Sequence, residues 1–338
     1  MSTNSVARNN GVDPSCLSSN YKDHISDFAQ WDQKDHCEEW LVYPENIGSH
    51  VCIDETSLSK GELYTCVSNG DARTQSGSLI SMTAGVKSHD ISEVLHKIPI
   101  EQRSKVTTVS VDMANNMEKV GRDNFPNASI VTDRFHVAQL VGEAVQETRI
   151  RERWAAIEEE NQGIAQSKKM GSTYETTTYI NGDSKKQLLA RSRHLLFKPQ
   201  SKWGTSQKQR GAILFAEFPH IASAYRLSMA LRHIYETAKT RDQAEQLFDR
   251  WHTLVTQKIE EDEGIDIDTT HDQKTYSSFR TVSKSIQAHK DTILNFFPKR
   301  ITNAMAECLN AKIKAFRAIF RGVKDLSFFL YRVSMIFA

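Results

Sequence analysis

The order of short apolar runs before residue 134 is the strongest constraint on the fold of this chain. Five β-like runs, separated by turn residues or by helical patterns, occur there: Val51–Asp54, Leu63–Ser68, Leu79–Thr83, Thr107–Asp112 and Ser129–Asp133. The first three have Gly-, Ser- and Asn-rich turns between them, which is typical of a meander. Helical spacing of apolar residues predicts one helix over His89–Ile98 and a second over Met113–Asn124. The order is therefore β-β-β-α-β-α-β.

That order is the order of an RNase H-like core, in which the first strand lies beside the fourth. From Phe135 to about residue 294 no further strand-like run appears, and long helical patterns predict an all-α insertion. Pro298 then breaks the chain before a last helical region. We predict an α/β fold with an RNase H-like mixed sheet core, interrupted by a large all-α insertion. The predicted parts are a partly helical or mobile segment (1–46), the first part of the core (47–136), the insertion (137–294) and the closing helices (295–338).

Three acidic residues stand at informative places in this order. Asp54 and Asp112 are the last residues of their runs, and Glu307 lies in the predicted helix Thr302–Arg317. Two divalent ions about 3.5–4 Å apart stabilise the attacking and leaving oxygens of a phosphodiester, and Mg²⁺ takes hard oxygen ligands. We predict that Asp54 bridges two Mg²⁺ ions, while Asp112 and Glu307 each complete one site. Taken singly, each aspartate is more often a turn or cap residue, and a helical glutamate is usually solvated.

The net charge of +1 hides a segregation of charge along the chain. Residues 185–210 contain eight Lys or Arg residues and no Asp or Glu, and residues 291–338 contain eight against three acidic residues. Such segregation suits a protein whose basic face follows phosphates. Interleaved aromatic residues favour DNA contact by the first segment, with Trp203 as a candidate to stack on a base. The alternative is a charged surface helix with Trp203 buried. The predicted DNA contacts are Arg134, Arg191, Arg193, Lys198, Lys202, Trp203, Lys208, Arg210, Lys312, Lys314, Arg317 and Arg321.

The five cysteines form no CxxC pair, and no Cys/His group has zinc-finger spacing. Unpaired thiols indicate a reduced, cytoplasmic setting. No stretch approaches the ~20 apolar residues of a membrane span, and the amino terminus has no apolar signal core. We therefore expect a cytoplasmic, nucleoid-associated protein without a membrane partner.

Several motifs resemble those of the DDE transposases of bacterial insertion sequences, in the ISL-three group. They occur in order over roughly residues 48–330: Asp54-Glu-Thr-Ser-Leu, Lys60-Gly-Glu-Leu-Tyr64-Thr, Asp112-Met113, Phe125-Pro-Asn-Ala-Ser-Ile-Val-Thr-Asp133-Arg-Phe-His136, and Asn303-Ala-Met-Ala-Glu307-Cys-Leu-Asn310-Ala-Lys312-Ile-Lys314. The resemblance implies a catalytic triad of Asp54, Asp112 and Glu307 that uses two Mg²⁺ ions, for which Mn²⁺ substitutes. It also implies cutting and joining of DNA at element ends by a homo-oligomer assembled on the DNA.

The resemblance is incomplete at two places. Family members often begin with a cysteine-rich zinc ribbon and a helix-turn-helix, and neither precedes Asp54. Either the basic segments recognise the element ends, or a separate polypeptide supplies the missing module. Ala304 and Cys308 also stand where the family commonly has Gly, a mild change that leaves Glu307 in place.

Three further residues are candidates for active-site support. Asp133 ends the fifth strand and is expected near the metals, and His136 is expected near the scissile phosphate. Asn310 follows Glu307 by one turn and is expected to orient that carboxylate or to contact DNA. The plainer alternatives are a helix cap for Asp133 and an ordinary buried polar role for His136.

The first hypothesis for function is a transposase that cleaves insertion-sequence ends and transfers the 3′-OH into target DNA. Two alternatives remain open at this point. One is a catalytically silent DNA-binding or assembly protein descended from a transposase, and the other is a structure-selective nuclease on the same core.

Overall fold

The computed structural model describes residues 3–58, 62–72, 75–265, 276–319, 323 and 325–338. The chain forms two compact units. The first contains Met1–Asp133 and Lys299–Ala338, and the second contains Arg134–Pro298. No helix in the described residues combines the length and the apolar character needed to cross a bilayer.

The first unit is built on a six-stranded mixed sheet. Its strands are β1 Trp40–Val42, β2 His50–Ser57, β3 Leu63–Asn69, β4 Leu79–Ala84, β5 Thr108–Val111 and β6 Ser129–Thr132. Their order across the sheet is β1-β4-β3-β2-β5-β6. The pairs β2–β5 and β5–β6 are parallel, and the pairs β1–β4, β4–β3 and β3–β2 are antiparallel. All five runs that the sequence predicts as strands are strands, and the mixed α/β class is confirmed.

Helices account for most of the remaining described residues. Fifteen α-helices are described: α1 Thr3–Asn9, α2 Pro14–Asn20, α3 Ser88–Leu95, α4 Ile100–Arg103, α5 Asn115–Asn124, α6 Arg134–Lys169, α7 Lys185–Arg191, α8 Thr205–Glu217, α9 Pro219–Thr237, α10 Arg241–Ile265, α11 Ser277–Ala288, α12 Lys290–Leu294, α13 Phe296–Lys299, α14 Ala304–Ile319 and α15 Leu326–Phe337. Shorter turns are a π-helical turn and four 3₁₀ turns: Tyr21–Ile25, Asp27–Gln30, Pro44–Asn46, Leu195–Phe197 and Gln200–Lys202.

Side chains alternate between the two faces along each strand, so both faces of the sheet carry apolar residues. Helices cover both faces. On one face, Val51, Ile53 and Val109 pack with apolar residues of α3 and α5. On the other face, Cys66 and Met82 belong to a core that includes residues of α14 and α15. The first unit therefore has helices on both sides of its sheet, and α14, which carries Glu307, covers one of the two faces.

The sequence does not predict the strand β1, since the apolar spacing of residues 21–42 favours a short helix or two. Instead, the side chain of Gln33 forms the two backbone hydrogen bonds with β1 that a neighbouring strand would form. Its Nε2 donates to the Val42 carbonyl (3.0 Å), and its Oε1 accepts from the Val42 amide (2.9 Å). Trp40 stacks on His36 with ring centroids 3.4 Å apart. These local bonds favour an extended chain that a three-residue apolar run does not reveal.

In its described residues the second unit contains helices, turns and loops but no strand, apart from an isolated bridge between Thr178 and Ser184. Its core contains aromatic groups, including Tyr235 and Phe248 at a centroid distance of 5.8 Å. The sequence predicts helices over most of this stretch, because apolar residues recur there at three- and four-residue intervals.

Candidate active site

Three aspartates line up at one edge of the sheet in the first unit. The parallel registers pair Cys52 with Ser110 and Val111 with Thr132. Continued by two residues and by one, they set Asp54 opposite Asp112 and Asp112 opposite Asp133. The Asp133 amide donates to the Val111 carbonyl (2.8 Å), which extends the β5–β6 ladder by one residue. Neighbouring strands lie about 4.8 Å apart, so the three aspartates form a short row.

This row is on the face of the sheet that α14 covers. Residues paired directly across parallel strands point to the same face. Two residues before Asp54, the thiol of Cys52 lies against the backbone of Ala306 in α14. Side chains of α14 that point toward the sheet are therefore placed over the row.

Asn303, Glu307 and Asn310 form one stripe on α14, because residues three and four apart lie on the same helix face. The Glu307 amide donates to the Asn303 carbonyl (3.1 Å), so Asn303 stands at the start of the helix. A carboxylate oxygen of Glu307 lies within 4.8 Å of one of Asp133. The helix thus brings a fourth acidic group to the aspartate row.

The two asparagines of the stripe bind the ends of β2 and β6. Asn310 Nδ2 donates to Asp54 Oδ2 (2.7 Å) and to the Glu55 carbonyl (3.2 Å). The Asn303 amide donates to Asp133 Oδ1 (3.3 Å), and Asn303 Nδ2 donates to the Ile53 carbonyl (3.4 Å). The sequence predicts that Asn310 orients Glu307 or contacts DNA, whereas its carboxamide donates to the first aspartate.

Asp54 and Asp112 also accept hydrogen bonds from nearby backbone. Asp54 Oδ1 accepts from the Glu55 amide (2.8 Å), and Asp112 Oδ1 accepts from the Ala114 amide (2.9 Å) just before α5. Both aspartates and Glu307 are half-buried. These backbone hydrogen bonds occupy one oxygen of each aspartate and restrict the rotation of its side chain. They therefore hold the two carboxylates at the sheet edge.

Burial and the negative charge of this edge together raise the pKa of nearby groups. Burial, and then the charges of Asp112 and Asp54, raise the pKa of Glu55. Burial, opposed by a hydrogen bond from the Ala306 backbone, raises the pKa of Cys52 to about 12, and Asp133 and Asp54 act in the same direction. Both effects indicate an acidic, partly desolvated environment.

The donor set at this edge fits a hard divalent cation. Three buried oxygens here have no hydrogen-bond partner in the described part of the chain: Oδ2 of Asp133 and Oδ1 of Asn303 and Asn310. Buried polar atoms are normally satisfied, so unpartnered oxygens beside carboxylates need another explanation. Mg²⁺ and Mn²⁺ take carboxylate and carbonyl oxygens.

Sequence reasoning includes Asn303 and Glu55 in motifs but assigns neither of them a role at the site. Asn303 precedes Asn310 by seven residues, two helical turns, and that spacing alone would have placed both on one face. Glu55 directly follows Asp54, but nothing in the sequence indicates that its carboxylate is affected by Asp112.

The basic residues of the closing helix differ in their contacts. Lys312 and Lys314 are exposed on α14. Arg317 donates through Nη1 to the carbonyl of Ser57 (3.1 Å) and to that of Leu58, so it ties the helix to the end of β2. Arg321 lies outside the described residues.

Four of the eight basic residues in the 185–210 segment form ion pairs with acidic side chains. Asp183, whose side chain is fully buried, pairs with Arg191 and with Arg210 (2.9 Å to Nε). Lys185 pairs with Glu159 and Lys186 with Glu160, each at 2.6 Å. The absence of Asp and Glu from the segment itself therefore does not leave its eight cations uncompensated. Within the described residues, no ion pair is found for the four exposed cations Arg193, Lys198, Lys202 and Lys208.

Trp203 is a core residue of the second unit rather than an exposed ring. It is 6% exposed, and its Nε1 donates to the carbonyls of Leu195 (2.9 Å) and Lys198 (3.1 Å). Its ring fills the space against Gly211, where a Cβ would lie 2.3 Å from Cζ3 of Trp203. In this position the ring is not available to stack on a base.

Arg134 and His136 lie in the first turn of α6, in the second unit. The Arg134 guanidinium is over the Phe296 ring, 5.8 Å from its centroid. His136 is half-buried and has an edge contact with Phe135 at 5.8 Å. Arg134 directly follows Asp133 along the chain, and His136 follows it by three residues.

A row of carboxylates between strand ends and a covering helix is an arrangement that proteins use to bind metals at phosphodiesters. A family model described as a transposase matches residues 51–333, most of the chain. The chain belongs to the DDE transposases of the ISL-three type. Membership implies a role in DNA transposition with DNA as a partner, and such transposases generally use divalent metals. No curated protein matches the chain.

Proposed function

We propose that this protein is a transposase that cleaves DNA at insertion-sequence ends and transfers the 3′-OH into target DNA. The observation that carries the proposal is the alignment of Asp54 and Asp112 on adjacent parallel strands beneath the helix of Glu307. Within the matched family, this supports an RNase H-like core with residues 134–298 as its helical insertion. It also supports Asp54, Asp112 and Glu307 as the metal-binding catalytic triad.

Some residues of the site would bind metal, and others orient the metal-binding side chains. Asp54, Asp112 and Glu307 would hold two Mg²⁺ ions, or Mn²⁺ in their place. Bound ions supply charge stabilisation at the attacking and leaving oxygens and make the attacking oxygen more acidic. Asn310 keeps Asp54 in one orientation through the 2.7 Å bond. Such orienting partners preserve ligand geometry, which positioning of the reacting groups requires.

DNA binding is proposed for four exposed cations of the second unit that have no acidic partner in the described residues. These cations, which fit contacts to phosphates, are Arg193, Lys198, Lys202 and Lys208. The exposed lysines of α14 are further candidates. Contacts of this kind position DNA without reading its sequence. We further propose a homo-oligomer on DNA, with end recognition by these basic segments or by a separate polypeptide.

The test is metal-dependent cleavage of labelled DNA that carries the flanks of the coding region. Asp112→Asn should lower the rate of nicking at least ~100-fold in Mg²⁺ or Mn²⁺, because removal of a ligand weakens stabilisation by several kcal/mol. DNA binding, measured by fluorescence anisotropy, should survive. The matched control is Asp123→Asn on α5, an exposed residue that pairs with Lys119 (2.7 Å), and it should cut normally.

Three other outcomes would contradict the assignment of Asp112 or favour a different function. Nicking by Asp112→Asn at the normal rate contradicts the assignment of Asp112. Nicking without joined product favours a structure-selective nuclease. Binding without any cleavage in Mn²⁺ favours a silent assembly protein.

A further inference from the structure

Asp133 is a buried carboxylate whose environment is incomplete. It is 2% exposed, and Oδ1 accepts from the Asn303 amide at 3.3 Å. Oδ2 is buried and has no hydrogen-bond partner in the described residues. An ionised carboxylate that is removed from water without gaining partners is strongly unfavourable.

A second carboxylate further raises the free-energy cost of keeping Asp133 ionised. Glu307 places an oxygen within 4.8 Å of an Asp133 oxygen, and two negative charges so close repel each other. No Lys or Arg forms an ion pair with Asp133 among the described residues. Three remedies exist: a proton on one carboxylate, a bound cation, or a shift of the side chains.

A bound cation satisfies more of these atoms than a proton does. A protonated Asp133 would need an acceptor for its O–H group, and Oδ2 has none in the described chain. The unpartnered Oδ1 of Asn303 is likewise buried, on the residue whose amide binds Asp133. A divalent cation takes such oxygens directly and neutralises both carboxylates.

We propose that Asp133 is a fourth metal-ligating carboxylate, which shares one divalent ion with Glu307. This inference rests on the proposed function in that it concerns the same metal centre. It extends that centre from two strands to three, because Asp133 continues the row of Asp54 and Asp112 onto β6. The cap that Asp133 provides to Asn303 then also aligns α14 with the metal.

The test uses Mn²⁺ alone, with the full chain and no DNA. Binding is measured by titration calorimetry, together with the rise in thermal midpoint on adding Mn²⁺. Asp133→Asn should weaken binding of one Mn²⁺ at least about tenfold, since even outer-sphere partners of metal ligands are worth 10–100-fold. Asn keeps an oxygen that accepts from Asn303, so the cap survives the change.

The variant should also be more stable than the wild type in EDTA, because it removes an uncompensated buried charge. A residue that acts only as a cap would give equal or lower stability. The matched control is Asp71→Asn, which also replaces an aspartate that accepts backbone amides, those of Ser49 (3.1 Å) and His50 (3.2 Å). It lies by the opposite end of β2 and should leave Mn²⁺ binding unchanged.

Unchanged Mn²⁺ affinity in Asp133→Asn overturns this inference. Because no DNA is present, the result does not depend on whether the protein transposes. If Asp133→Asn also cuts DNA normally while Asp112→Asn does not, the proposed transposase survives and Asp133 is structural.

Discussion

At the residue scale, the pKa of Glu55 responds both to burial and to the charge of the site. Burial first, and then Asp112 and Asp54, raise its pKa above the usual 4.5. An acid with a raised pKa in the folded state binds its proton more tightly there. It therefore costs no stability below the ordinary pKa, and it destabilises the fold increasingly as pH rises above about 4.5.

Glu55→Gln should accordingly raise the urea midpoint of the metal-free protein at pH 7, and the gain should vanish toward pH 4. The measurement is urea unfolding in EDTA at both pH values. Glu93→Gln on α3, an exposed glutamate in the same unit, is the control and should change little. An equal gain at both pH values would show that packing, rather than charge, sets the effect of Glu55 on stability.

Residues of the site differ in how far the sequence predicts them. Asp54, Asp112 and Glu307 stand out because each ends a strand-like run or lies in a helical pattern. The sequence does not reveal the hydrogen-bond partners of these residues, because a bond such as that from Asn310 to Asp54 joins residues 256 positions apart. Only the sheet order brings Asp133 into line with the other two aspartates, and the apolar pattern of β6 does not fix its neighbour.

At the element scale, Asp183 joins α7 to α8. Its buried carboxylate binds Arg191 of α7 and Arg210 of α8, and these arginines lower its pKa against the opposing effect of burial. A lowered pKa means that stability is gained above the ordinary value and lost as pH falls through the folded-state pKa. Two helices of the second unit depend on one ionised side chain.

Asp183→Asn should lower the free energy of unfolding by about 2 kcal/mol at pH 7, since hydrogen bonds to charged groups contribute about 1.5–3 kcal/mol. The loss should shrink as pH falls below the ordinary value of 3.8 and through the lowered folded-state pKa, where the wild-type carboxylate itself becomes protonated. Urea unfolding at several pH values measures this. Glu236→Gln, which removes the exposed pair with Arg232 (2.9 Å), should cost at most about 0.5 kcal/mol. Equal losses in both variants would contradict the role of Asp183.

The sequence predicts elements where a pattern is long or repeated. The strands β2 to β6 are each at least four residues long, whereas β1 has three residues and depends on Gln33. The charge pairing of the basic segment escapes prediction for a related reason. Asp183 lies two residues before that segment, and Glu159 and Glu160 lie on α6, so a count along the chain does not include them.

At the scale of the whole molecule, the net charge of +1 says little about how the protein meets DNA. What matters is which cations lack acidic partners. Arg193, Lys198, Lys202 and Lys208 are exposed and have no ion pair in the described chain, whereas Lys185 and Lys186 pair with glutamates. Free cations release counterions when they bind phosphates, and paired ones release fewer.

Replacing the four free cations with Gln should therefore reduce the salt dependence of DNA binding. The slope of log K against log salt should fall in magnitude by about 0.9 for each duplex phosphate that the variant no longer neutralises, so by up to about 3.6 for four. Replacing Lys185 and Lys186 with Gln is the matched control, and it should change the slope by much less, because each lysine already neutralises a glutamate. Anisotropy titrations from about 50 to 200 mM salt measure both variants. If the paired lysines contribute as much to the slope as the free cations, the DNA path does not follow the unpaired charges, and pairing seen in the free protein is exchanged for phosphate on binding.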